Sequence, residues 1–449
     1  MIFFPLIISI FTIFLIPIFL KKENLGVNIY SFFLVVLFFQ LIIRNVLIAF
    51  NLPEETYVQA VLLRGLNLNE VLLSPLVFFI SSILIVSSYM IFRNDKNFKN
   101  FNSAIPFLNK NPNEKKILFW CFIFFIISLI SNYIFFIQFD LSLISFYRGT
   151  SASIEEYSAQ GYLRLLAGVS EISAFVGLAY FWQSKRKYLK YLFLFLSILS
   201  FLLLIVGAVL SSSRAIILVA LVGVFVLAKL SNKKVKVVRS LILSVSLISL
   251  VTFMTVYRVS EDRNELSFEI FKDYLNTPLY LIVNQGGIDV IKTQHLINYV
   301  REKEDYRYGE MFSNIVLLAI PRSLWIDKPV NIDTQFGMSV YNADVYGSGG
   351  VPPGILGEFF WDFSWIGLIL ASLVFGMIMG LLDKMLKRYM NSIFIKVLFA
   401  SSLIWTGMGI LGSGLVSFFI GVMSLLIPLL IMFLLSSLTL KVVKFEKTI

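Results

Sequence analysis

Apolar runs of about twenty residues recur along the whole of this 449-residue chain. Each is long enough to cross a ~30 Å hydrocarbon core as a helix. Backbone N–H and C=O groups cannot go unpaired in lipid, so such runs fold as helices or as strands of a closed barrel. Barrel strands alternate apolar and polar residues, and a run such as Leu192 to Leu210 does not. With 58% hydrophobic residues and a mean hydropathy of +0.84, the chain reads as an all-α polytopic integral membrane protein. The pattern predicts about eleven spans, over 2–20, 28–50, 71–92, 117–137, 161–182, 191–210, 212–230, 240–257, 355–380, 393–411 and 415–438.

Basic residues orient these spans. Lys21 and Lys22 follow the first, and six Lys and Arg lie between Arg93 and Lys116. Lys185, Arg186, Lys187 and Lys190 come next, then five between Lys229 and Arg239, then Lys384, Lys387 and Arg388, and finally Lys441, Lys444 and Lys447. With the spans above, all of these fall on one side, which the positive-inside rule makes the cytoplasm. The N-terminus is then outside and the C-terminus cytoplasmic. The net charge of +11 belongs to membrane-flanking loops and carries no nucleic-acid signal. The N-terminus has no basic n-region or small-residue cleavage site, so the first span is expected to be retained.

Against this apolar background the stretch from Arg258 to Asp362 is a polar island that holds fifteen of the 27 acidic residues and the only histidine, His295. It divides the chain into membrane helices over 1–257, an extracytoplasmic loop domain over 258–354, and further membrane helices with a basic tail over 355–449. Segments 266–275 and 279–300 are expected to form short helices. Met311 to Ile320 is apolar but too short to span, so it reads as a surface-lying or re-entrant segment ended by Pro321. Residues 331–350 read as loop, being rich in Asn, Asp, Gly and Ser. The single cysteine, Cys121, excludes an intramolecular disulfide and any paired-cysteine metal site. No internal repeat is evident, which disfavours an inverted-repeat transporter.

The outer face should be poor in Lys and Arg, yet arginines cluster at its membrane boundary: Arg148, Arg164, Arg214, Arg258, Arg263 and Arg322, with Arg44 inside a span. An arginine at membrane depth costs about 2.5–3.5 kcal/mol on insertion scales. The guanidinium is a planar, permanently charged fork that suits phosphate oxygens. A diphosphate-linked lipid would need such a set, both for binding and to stabilise a diphosphate leaving group. The plainer reading is that these arginines snorkel to the interface or pair with Asp140, Glu155 or Glu171. Glu358, at the mouth of a span, could act as general base on a sugar hydroxyl, or simply complement its own helix dipole. Asp327 and Lys328 read either as site residues or as a solvated pair in a turn, and His295 as acid–base or packing residue. Tyr306, Tyr308, Trp325, Tyr341, Tyr346 and Trp361 read as faces for a carbohydrate or as an interfacial belt. No Asp-x-Asp signature, phosphate-binding glycine loop or His/Cys metal spacing is present in the outer segments, so neither metal nor cofactor is expected.

Three runs within 308–380 carry a resemblance: Tyr308-Gly309-Glu310; Ile320-Pro321-Arg322-Ser323-Leu324-Trp325 with Asp327-Lys328-Pro329; and Pro353-Gly354-Ile355-Leu356-Gly357-Glu358-Phe359-Phe360 with Trp365-Ile366-Gly367 and Gly376. Together with the turn Ser212-Ser213-Arg214-Ala215 they resemble oligosaccharide repeat-unit polymerases, the O-antigen or capsule polymerases of the Wzy type. The arginine–ten residues–glycine spacing of some members is absent at Arg148, Arg214 and Arg322. The resemblance implies a fold related to the lipid-phosphate-dependent, GT-C-like glycosyltransferases. It implies transfer of a growing glycan from undecaprenyl diphosphate to the non-reducing end of the next lipid-linked unit, at the outer face of the bacterial plasma membrane. It also implies two partners, a chain-length regulator and a flippase. Carried onto this sequence, it assigns Arg322 and Arg214 to the diphosphate and Glu358 to the acidic position of the Gly-Glu motif.

The expected enzyme is therefore a metal-independent glycosyltransferase. Its catalytic residues would be Glu358, Arg322 and Arg214. Arg148, Arg258, Arg164, Trp325, Asp327, Lys328, Tyr308 and Trp361 would bind the lipid-linked oligosaccharide. Three rivals stay open: an O-antigen ligase, a lipid-linked oligosaccharide flippase and a non-catalytic scaffold. A flippase should carry charges along a central cavity and have short loops; the long polar island here argues the other way.

Overall fold

The computed structural model describes residues 29–37, 73–94, 112–138, 161–210, 214–233, 290–317, 325, 332–341, 353–403 and 414–437. Among these, thirteen α-helices occur and no strand. They are α1 (Ile29–Val36), α2 (Leu73–Asn94), α3 (Glu114–Gln138), α4 (Gly161–Ala167), α5 (Val169–Gln183), α6 (Lys187–Leu210) and α7 (Arg214–Leu230), then α8 (Val290–Lys303), α9 (Glu310–Leu317), α10 (Ile332–Tyr341), α11 (Ile355–Arg388), α12 (Ile393–Leu398) and α13 (Leu415–Ser437). Six helices are long and apolar enough to cross a membrane, and two shorter apolar ones run over Val219–Leu230 and Ile393–Ser402. The protein is thus a polytopic helical membrane protein. The expected spans 2–20 and 240–257, and most of 28–50, lie outside the described residues.

Serines satisfy themselves inside these apolar helices. Ser82, Ser372, Ser401, Ser402 and Ser436 each donate to the carbonyl four residues earlier, which removes an unpaired hydroxyl from lipid depth. Other serines tie helices together. Ser184 donates to Glu114, Ser173 to the Cys121 carbonyl and Ser128 to the Ala167 carbonyl, so α3 runs antiparallel to α4 and α5. Ser197 donates to the Ala174 carbonyl at 2.8 Å and Ser200 to Ser173 at 3.1 Å, which sets α6 antiparallel to α5. Small residues allow this approach, as they must where lipid supplies no hydrophobic drive between helices.

The α2–α11 pair is the most intimate and runs parallel. Ser88 donates to the Leu373 carbonyl at 2.6 Å, and Gly376 and Gly380 present bare backbone to Ile85–Ser88 and Tyr89–Arg93. At the end of this pair Asp383 accepts from the Ile29 amide at 2.8 Å and the Tyr89 hydroxyl at 3.0 Å, while Tyr30 stacks on Tyr89. Arg93, Lys384, Lys387 and Arg388 gather at that end. The polar helices α8, α9 and α10 gather at the other end, over the head of α11. Large apolar side chains such as Ile91, Phe119, Phe195 and Ile366 stand exposed along the bundle, as lipid-facing residues should.

Several local expectations change. Residues 332–341 are helix, not loop, because Ile332 and Phe336 lie four apart and both bury completely. The segment expected over 355–380 continues to Arg388 and contains a break at Phe363 and Ser364. The span expected over 161–182 divides at Gly168. The segment from 311 is a short helix, Glu310–Leu317, with Met311 buried and Phe312 exposed. The helix expected over 279–300 is described over Val290–Lys303, and 266–275 lies outside the described residues.

Candidate functional site

The break in α11 organises the polar end of the molecule. Phe363 (φ −137°, ψ 20°) and Ser364 (φ 55°, ψ −146°) leave the helical region, and the Ser364 conformation is one that glycine normally supplies. A break there deprives the preceding carbonyls of their amide partners four residues on. The loop between α8 and α9 takes up two of them: the Arg307 amide donates to the Trp361 carbonyl and the Tyr308 amide to the Asp362 carbonyl, both at 3.2 Å. To make this approach the loop uses left-handed backbone at Glu304, Tyr308 and Gly309. Gly309, at φ 93°, also sits where a Cβ would lie 3.3 Å from the Phe363 ring. Gly367, one turn beyond the break, has no room for a Cβ against Phe359 and Phe363.

Side chains reinforce the same junction. Arg307 lies over the Trp361 ring at 4.7 Å and pairs with Asp305 at 3.5 Å and Glu310 at 3.3 Å. Trp361 donates from Nε1 to the Asp305 carbonyl at 3.0 Å, and its ring also meets Tyr299 and Phe336 edge-on. Tyr299 donates to Asp305 at 2.9 Å; burial first, and then this carboxylate, raise the Tyr299 hydroxyl above its ordinary pKa. Gln335 of α10 donates to Glu310 at 2.9 Å. Four elements, α8, α9, α10 and α11, therefore meet around one arginine and three acids: Asp305, Glu310 and Asp362.

Glu358 and Asp362 lie four residues apart on α11, and both are 0% exposed. That spacing sets them one above the other on one helix face. The Glu358 carboxylate accepts the Leu415 amide at 2.8 Å, so it caps the first turn of α13 from a neighbouring helix. Ser74, near the start of α2, donates its amide to Gln294 of α8, which anchors the polar helices to the bundle end.

The residues proposed from sequence fare as follows. Trp361 is completely buried, with its ring covered by Arg307. Tyr308 stands 78% exposed at the loop tip, and Trp325 is half-buried. Arg214 heads α7 and Arg164 lies in α4; their side chains lie outside what is described. Arg148, Arg258, Arg322, Asp327 and Lys328 lie outside the described residues. His295 packs its ring against Tyr341 at 5.3 Å. Among the described residues, no three His, Cys, Asp or Glu side chains gather as a metal site would require. Arg307 and Asp305 were not singled out from sequence. The signal available was an arginine set between two tyrosines and flanked by acids, in Asp305-Tyr306-Arg307-Tyr308-Gly309-Glu310.

A sequence profile for the family described as "O-antigen polysaccharide polymerase Wzy" matches residues 1–443. No curated protein and no solved structure matches the chain.

Proposed function

The chain belongs to the O-antigen polysaccharide polymerase Wzy family, and from that premise we propose how its residues carry out polymerisation. As a family member it is a glycosyltransferase-type repeat-unit polymerase that acts on lipid-linked oligosaccharide in a membrane. In our reading the donor is undecaprenyl-diphosphate-linked and the reaction takes place at the outer face of the plasma membrane. The polar end, roughly 258–354 with the head of α11, forms the reaction chamber. The membrane helices number about eleven and follow a plan related to lipid-phosphate-dependent, GT-C-like transferases.

The chemistry proposed is displacement at an anomeric carbon. The acceptor hydroxyl attacks, its proton passes to a carboxylate, and the bond to the diphosphate breaks with the electron pair leaving on the diphosphate oxygen. Arg148, Arg214, Arg258 and Arg322 offset the diphosphate charge without a metal, with Arg164 alongside. Glu358, or less favourably Asp327, accepts the proton. Trp325, Lys328 and Tyr308 line the glycan path and Trp361 fixes its wall. A chain-length regulator and a flippase act as partners. The observation that supports this reading best is the completely buried Glu358 carboxylate, set at the head of a membrane helix directly beneath the polar helices.

A second reading of Glu358 is favoured by its hydrogen bond from Leu415: a purely structural cap on α13. One experiment addresses both. A strain lacking the gene is complemented with the parent chain, Arg322→Ala or Glu358→Gln, and the surface glycan is run on a gel. The parent should restore a ladder, and both variants should leave single repeat units at normal membrane levels. Gln keeps an oxygen acceptor for the Leu415 amide, so a full ladder from Glu358→Gln would return Glu358 to the capping role. A ladder unaffected by deleting the gene would remove the polymerase assignment.

A further inference from the structure

The break in α11 holds a carboxylate for which the fold itself has no use. Asp362 is 0% exposed, and neither of its oxygens has a hydrogen-bond partner among the described residues. The Gly309 and Met311 amides and the Arg307 guanidinium favour its charge from nearby, and Glu310 opposes it. Arg307 is itself committed to Asp305 and Glu310 at 3.5 and 3.3 Å. A buried carboxylate in that condition lowers stability, and it sits beside Ser364, whose backbone conformation also costs the fold energy. Two unfavourable features two positions apart mark a place where the fold is subordinate to function.

We propose that Asp362 is a substrate-contacting carboxylate of this site, that it accepts a hydrogen bond from a hydroxyl of the acceptor sugar, and that the loop over residues 304–309 is the cover that lifts to admit that sugar. This rests on the polymerase reading above. The geometry supplies three supports. Asp362 lies one helical turn beyond Glu358 on the same face, so a sugar ring whose one hydroxyl reaches Glu358 has a neighbouring hydroxyl within reach of Asp362. A carboxylate with vacant lone pairs suits a hydroxyl donor, whereas it would repel the diphosphate of the donor, so the partner is the carbohydrate acceptor. The cover is held over Asp362 by two backbone hydrogen bonds, by the Trp361 indole and Tyr299 hydroxyl donating to Asp305, and by Arg307, which stacks on Trp361 and pairs with Glu310; its Tyr308 tip is exposed to meet glycan. These are polar and ring contacts, of the kind that hydroxyls of an arriving sugar can replace.

Asp362→Asn tests this in the full chain, reconstituted in vesicles with the lipid-linked repeat unit. Asn has the same shape without the charge. The variant should unfold at a higher denaturant concentration than the parent, because a buried charge whose desolvation outweighs its nearby favourable groups is gone. It should also polymerise about 10- to 100-fold more slowly, the loss expected when a hydrogen bond to a charged group is removed. The loss should appear in the KM for the acceptor unit. Raised stability with lost turnover is a pairing that a structural role cannot produce. Polymerisation within about threefold of the parent would overturn the proposal, as would lowered stability. Asp362→Ser is read in the same way should the Asn variant fail to accumulate, and failure of both to accumulate would make Asp362 a folding residue and overturn it too. The parent in the same vesicles separates the two claims. No polymer from the parent defeats the polymerase reading, whereas polymer from parent and variant alike defeats only the role of Asp362.

Discussion

Gly376→Ala should separate the two helices that carry the polar end. A Cβ at Gly376 would lie 2.8 Å from Ser88 Cβ and closer still to the Ile85 carbonyl oxygen. Ordinary contact begins at 3.4 Å, so the Ser88 contact alone falls about 0.6 Å short. The carbonyl is backbone and cannot swing away, so α2 and α11 must part along their length. Overpacking of this kind costs about 1–3 kcal/mol. Parting also strains the Ser88 bond to the Leu373 carbonyl, worth about 1 kcal/mol. The sum, about 2–4 kcal/mol, is roughly 30- to 700-fold in the folding equilibrium. Reversible unfolding in mixed micelles reads it directly. The control is Gly421→Ala in α13, where nothing lies within 4 Å of the added Cβ; it should match the parent or exceed it by up to about 1 kcal/mol. If Gly376→Ala is as stable as Gly421→Ala, the close parallel crossing of α2 and α11 is wrong.

Arg307→Met keeps much of the stem but removes a cation over Trp361 and two carboxylate partners, so amide exchange at Arg307 and Tyr308 should quicken by about tenfold or more; unchanged protection would show that the backbone bonds alone hold the loop. Asp383→Asn replaces an acceptor of the Ile29 amide and Tyr89 hydroxyl with a group that also donates, and should cost about 1–3 kcal/mol in the same micelle assay. No loss of stability would mean that α1 is not tied to α11 through Asp383.

Sequence alone determined the class of this protein and the positions of several of its membrane helices. Lipid permits only backbone that satisfies itself, so apolar length is enough to locate α2, α3, α6 and α13 to within a few residues of the expected runs. The family was legible for the same kind of reason, since residue order along the chain is all it requires. The junction was not. Residues 332–341 look like loop by composition, yet Ile332 and Phe336 bury on one helix face, with Phe336 edge-on to Trp361. The break at Phe363 and Ser364 has no proline to announce it; it exists because amides some 55 positions earlier in the chain take the freed carbonyls. The cap that Glu358 gives Leu415 joins two helices 57 residues apart. Period and propensity describe how a segment meets its nearest neighbours along the chain. Which carboxylate receives a partner, and which stays buried without one, depends on segments distant in sequence that only packing brings together.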